Sequence, residues 1–126
     1  MKHYTGYKWV RCEDGTLRSY LGFPRVPWEY YYTPGAWTVP EHGDGPLCVF
    51  ADLGAAQQWH RSLQRWAAIA RRYQLWRVSY IRTRRPRGRR AIGQRLHRRI
   101  WWIELDQVPD GTDWASAVRL EEPVES

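Results

Sequence analysis

The sequence predicts an α+β domain in which a mostly antiparallel sheet packs against one long helix, with a long arginine-rich loop between two strands. Three observations carry that expectation. Short runs of alternating or continuously apolar residues, rich in aromatic and β-branched side chains, are separated by turn signals and read as strands. One stretch beginning at Leu53 repeats apolar residues at helical spacing. The segment Thr83 to Arg99 joins two predicted strands and contains Pro86, Gly88 and Gly93, which argue against a continuous helix. The 126 residues suit one domain spanning 1–126, and 43% hydrophobic content argues against a disordered chain.

In chain order, Tyr7 to Cys12 alternates, with Tyr7 and Trp9 on one side and Val10 and Cys12 on the other. Asp14-Gly15 is a hairpin turn signal, since glycine accepts the positive φ such turns need, and Leu17 to Leu21 is the returning strand. Pro24, Pro27, Pro34 and Pro40 then interrupt any long strand. Short extended pieces are expected at Tyr30–Tyr32 and Trp37–Val39, joined by a Pro34-Gly35 turn. Leu47 to Phe50 is apolar on both faces, the pattern of a doubly covered central strand. Asp52 suits a helix N-cap because its carboxylate can accept the free N–H groups of the first turn. The stripe Leu53, Ala56, His60, Leu63, Trp66, Ala67 and Ala70 predicts a helix ending near Arg71-Arg72, roughly 30 Å long, with Leu63 and Trp66 against the sheet. Leu75 to Arg82 reads as a strand with Trp76, Val78 and Tyr80 on one face, and Ile100 to Leu105 as another with Trp101, Ile103 and Leu105 aligned. Pro109-Asp110-Gly111 is a turn, Ala117 to Leu120 a last short strand, and 121–126 a frayed acidic tail.

The formal charge of +7 is unevenly placed. Between Arg82 and Arg99 there are nine arginines and no acid, and subtracting those nine leaves −2 for the rest of the chain. Concentrated basicity points to a binding site for an anion. Arginine offers a planar fork that bonds phosphate or carboxylate in bidentate fashion and stacks on aromatic planes. The 83–99 loop therefore predicts a non-enzymatic nucleic-acid-binding accessory protein, DNA or RNA, with Arg84, Arg85, Arg87, Arg89, Arg90, Arg95, Arg98 and Arg99 on phosphates. Trp28, Tyr30, Tyr31, Tyr32 and Trp37 are stacking candidates, with core and edge packing as the alternative for at least half of them. The competing partner is an acidic surface of a host protein, and the bland alternative is a solvated loop built from arginine codons.

Chemistry is sparse. His3, His42, His60 and His97 show no metal-ligand spacing, and His60 on the helix stripe reads as a core residue. There is no nucleophile elbow, Walker loop or dinucleotide fingerprint, so no catalytic residue, metal or cofactor is assigned. Glu104 beside two Trp reads as a solvent-facing residue on an edge strand rather than a buried base. Cys12 and Cys48 lack CxxC spacing and read as reduced core residues. No run of about 18 apolar residues exists, and the start MKHYTGYKWVRC lacks an apolar signal core, so a cytoplasmic location is expected.

The order of hairpin, PGAWT turn, LCVF strand, Ala-rich helix, WRVSY and PDGTDWASAVRL resembles small uncharacterised proteins of phages and bacterial mobile elements. That resemblance implies an accessory or host-interaction role, in the host cytoplasm if phage-encoded. Separately, FADLGAAQQW is similar to the strand-then-helix step of the ADP-ribosyltransferase fold, which implies a remote enzymatic alternative. That family's late ExE pair is missing here, where Glu104 stands alone.

Overall fold

A computed structural model describes residues 2–13, 15–19, 30–41, 45–62, 72–96 and 99–125. Among these residues the strands are β1 (Tyr4–Glu13), β2 (Thr16–Ser19), β3 (Tyr31–Tyr32), β4 (Trp37–Thr38), β5 (Leu47–Phe50), β6 (Tyr73–Arg82), β7 (Arg90–Leu96), β8 (Arg99–Glu104) and β9 (Thr112–Pro123), and the α-helix is α1 (Leu53–Ser62). All strand pairings are antiparallel.

The principal feature is a closed circuit of four strands. β1 pairs with β6 from Tyr4↔Tyr80 to Arg11↔Tyr73. β6 pairs with β9, and β9 with β5. β5 returns to β1 through Tyr7↔Phe50 and closes the barrel. β2 and β3 extend the free edge of β1, and β4 lies along the edge of β9. Alternation along each strand sends one set of side chains inward. Val10, Val78, Val118 and Leu120 are fully buried there, joined by Leu47, Val49, Trp76 and Tyr80.

This architecture corrects the expectation of a sheet packed on one long helix. A period of two shows which residues share a face, but not whether that face is covered by a helix or by the sheet curling onto itself. Here the inner face is self-covered. Among the described residues α1 spans Leu53–Ser62 and sits outside, over a second apolar face made by Trp9, Tyr73 and Leu75, with its Ala56 buried against them. Asp52 caps it as expected, its Oδ1 accepting from the Ala55 N–H at 2.8 Å. The expected continuation through Leu63, Trp66, Ala67 and Ala70 falls outside the described residues. Half-buried His60 stacks on Trp9 at 4.1 Å.

Gly6 allows the closure. A β-carbon there would lie 2.7 Å from the Phe50 carbonyl oxygen and 2.8 Å from the Tyr80 ring. Only a residue without a side chain lets β1 come this near β5.

β9 is 12 residues long, against a predicted short strand, because it lines β6, β5 and β4 in turn. Glu121 and Glu122 are therefore strand residues rather than a frayed tail, and they pair with Arg119 and Arg77. The Pro34-Gly35 turn forms, with Gly35 at φ +82°, but the pieces it joins diverge. β3 goes to β2 and β4 goes to β9. Cys48 is buried, whereas Cys12, expected in the core, is exposed near the end of β1, and both are free thiols.

The stretch 83–99, expected to be one loop, is a linker followed by half of a β-ribbon. β7 and β8 pair only with each other among the described strands. Gly93 disguised the strand. It lies where the register slips between Ile92 and Gln94, a bulge that glycine accommodates without ending the pairing. Ala91 and Ile103, opposite each other near the ribbon's base, pack with Leu105 against Cys48 and Trp114 on the outside of the barrel. β8 thus belongs to a separate arm and not to the main sheet.

Candidate functional site

The arginines begin where β6 leaves the barrel. The Thr83 N–H donates to the Trp114 carbonyl at 2.9 Å, and the Leu105 N–H donates to the Arg89 carbonyl at 2.9 Å. These two bonds pin both ends of an extended linker, with Gly88 at φ +89° making its last turn. Arg84, Arg85, Arg87, Arg89 and Arg90 are all exposed along it. Arg85 donates to the Leu105 carbonyl at 3.3 Å, and Arg90 pairs with Glu104 at 3.0 Å. Glu104 is thereby a half-exposed partner on the ribbon, which agrees with the surface reading of it. The side chains of Arg84, Arg87 and Arg89 have no ion pair or hydrogen bond among the described residues.

The remaining predicted contacts divide. Arg95 and Arg99 occupy ribbon positions opposite Ile100 and Leu96, near the end far from the barrel. Arg98 lies outside the described residues. On the ribbon face that carries Arg90 and Ile92, Trp102 is 46% exposed and Ile100 38%. Sequence reasoning missed both. The signal was the alternation of the strand, which puts Ile100 and Trp102 on the side opposite the buried Ile103.

Of the aromatic candidates, Tyr30, Tyr32 and Trp37 pack against other described residues. Tyr32 is buried in the barrel, and half-buried Tyr30 packs against the same core, its hydroxyl accepting from the Glu41 N–H at 3.2 Å. Trp37 carries the Arg119 guanidinium over its ring at 4.7 Å, with His3 edge-on at 5.0 Å. Tyr31 is the exposed one, at 60%. Trp28 lies outside the described residues.

Where the linker meets the barrel there is an open cleft of about 800 Å³ between the start of β1, the end of β6 and the start of β9. Its lining includes Lys2, Tyr4, Arg82, Arg84, Arg85 and Asp113. Asp113 is the hub. One oxygen accepts from the Tyr80 hydroxyl at 2.7 Å, and the Arg82 Nε lies 3.2 Å from the carboxylate. The Trp114 N–H donates to it at 3.0 Å. Desolvation, then the bond to Asp113, raises the Tyr80 phenol above its ordinary range, so it serves as a fixed donor.

Among the described residues no cluster of three His, Cys, Asp or Glu side chains could hold a metal ion, and no helix is long and apolar enough to cross a membrane. No protein-family model matches the chain, and neither does any curated protein or solved structure.

Proposed function

We propose that this chain is a nucleic-acid-binding protein that contacts phosphates through the arginine linker and the β7–β8 arm. The observation that carries the reading is the set of exposed, uncommitted guanidinium groups of Arg84, Arg87 and Arg89 on a backbone pinned at both ends. A pinned backbone loses less conformational freedom on binding than a free loop would. Trp102, on the face of the arm that carries Arg90, adds an exposed ring on which a base can stack. The absence of any acid between Arg82 and Arg99 keeps the local field positive.

Binding isotherms with single-stranded and duplex oligonucleotides at several salt concentrations test the proposal. Log affinity should fall linearly with log salt, with a slope of roughly −0.7 to −0.9 per phosphate contacted, hence near −4 if about five arginines engage. Replacing Arg84, Arg85, Arg87, Arg89 and Arg90 by Ser should remove most of that slope and leave the melting temperature nearly unchanged. Equal affinity and slope in the two proteins would rule the linker out. Salt-insensitive, tight capture by one acidic protein would instead favour a protein partner, for which the exposed Ile100 and Trp102 form a suitable apolar face.

A further inference from the structure

The cleft beside the linker has a charge balance that its own residues do not satisfy. Lys2, Arg82, Arg84 and Arg85 line it, and Asp113 is the one acid among the described lining residues. Asp113 is committed to Arg82 and to the Tyr80 hydroxyl. Lys2, Arg84 and Arg85 are left facing a common space without a carboxylate. Arg85 is nevertheless held in place by its bond to the Leu105 carbonyl, which leaves other N–H groups of its fork to donate. The Lys2 ammonium stands 5.1 Å from the Tyr4 ring centre and the Arg82 guanidinium 5.8 Å, so the ring helps hold two cations at the cleft wall. Tyr4, Ile81 and Trp114 supply an apolar side to the same space. About 800 Å³ falls within the size range of small-molecule sites.

Cations set against an apolar and aromatic wall suit a compact, doubly charged group attached to a ring system. We propose that the cleft binds the phosphomonoester of a nucleotide. The nucleotide is either free or the phosphorylated end of a strand whose following phosphates run along the linker, an assignment that rests on the nucleic-acid reading above for the second source only. A monoester carries more charge than a backbone diester and presents more free oxygens, so three uncompensated cations favour it. Arg84 and Arg85 belong to both cleft and linker, which makes the two surfaces continuous.

The test compares short oligonucleotides of one sequence with a terminal phosphate at the 5′ end, at the 3′ end, or at neither, together with adenosine monophosphate. If the cleft takes a strand end, one phosphorylated form binds roughly tenfold tighter than the form with neither. The exposed Lys2 lies outside the linker, so Lys2→Ser should abolish that advantage while the unphosphorylated oligonucleotide binds as before. If the cleft takes a free nucleotide, adenosine monophosphate binds in calorimetry and Lys2→Ser weakens it several-fold. Equal binding of all three oligonucleotides with no heat from adenosine monophosphate overturns the cleft assignment and leaves the linker reading intact. Failure of every oligonucleotide to bind, with adenosine monophosphate still binding, does the reverse.

Discussion

Lys8 is the one charged residue that is buried among those described. It points into the barrel, 5% exposed, with its Nζ donating to the Cys48 carbonyl at 2.5 Å and 5.7 Å from the Tyr32 ring centre. Burial lowers its pKa from 10.5 to about 8, and burial pushes the Cys48 thiol up to about 12. The lysine is charged in the unfolded chain up to about pH 10.5 but loses its proton in the folded chain near 8, so the unfolded state binds more protons between those values and stability rises with pH. Cys48 acts in the opposite sense once the unfolded thiol ionises, from its ordinary 9.0 upward. Stability should therefore climb by about 1 kcal/mol between roughly pH 7.5 and 9 and then level off. Urea denaturation across that range checks it, and Lys8→Met should flatten the rise. Gly6→Ala should cost about 1–3 kcal/mol, because the new methyl meets the Phe50 carbonyl and the Tyr80 ring. The alternation of β1 puts Lys8 on the side of Val10, and that much is legible from the letters. That this side is an enclosed interior is not, because the partner strands that enclose it lie far along the chain.

Elements with local signals were legible, and those defined by a distant partner were not. Asp52 announces α1 because a cap is a contact within one turn. Gly15 and Gly111 announce their turns through positive φ, at +76° and +81°. β7 announces nothing, since it opens on the last arginine of the linker, Arg90, and its pairing slips at Gly93. The arm's hold on the barrel rests on a few apolar contacts. Ile103→Ala should loosen it by about 2–4 kcal/mol of local stability. Hydrogen exchange at the Leu105 amide, bonded to Arg89, should then accelerate far more than at Val78 in the barrel. The same variant should expose Cys48. In the native wild type, thiol reagents should modify exposed Cys12 quickly and Cys48 only slowly, and Ile103→Ala should narrow that gap.

For the whole molecule, β6 is the spine, paired on one edge with β1 and on the other with β9. Strands from both ends of the sequence are thus required before any interior exists. A chain stopped after Ser116 loses the inward Val118 and Leu120 and should show no cooperative thermal transition by circular dichroism. The candidate site is less demanding. Its arginines were visible as a run in the sequence, because charge density survives translation into structure. The cleft was not visible, since Lys2, Arg82 and Asp113 meet only after β1, β6 and β9 are assembled.

Arg82 and Ala115 are partners across the β6–β9 ladder, so the chain departs and returns through neighbouring positions at the end of one strand pair. Apart from Thr112 to Trp114, which pair with β5, the segment between them stands to the barrel as the turn of a long hairpin. Such a junction accepts segments of different length at little entropic cost, because loop closure grows only slowly with length. The arm should therefore behave as a cassette that can be exchanged without rebuilding the barrel. A variant in which the arm is replaced by a grafted segment that still covers Trp114 and Cys48 should keep the barrel's cooperative thermal transition.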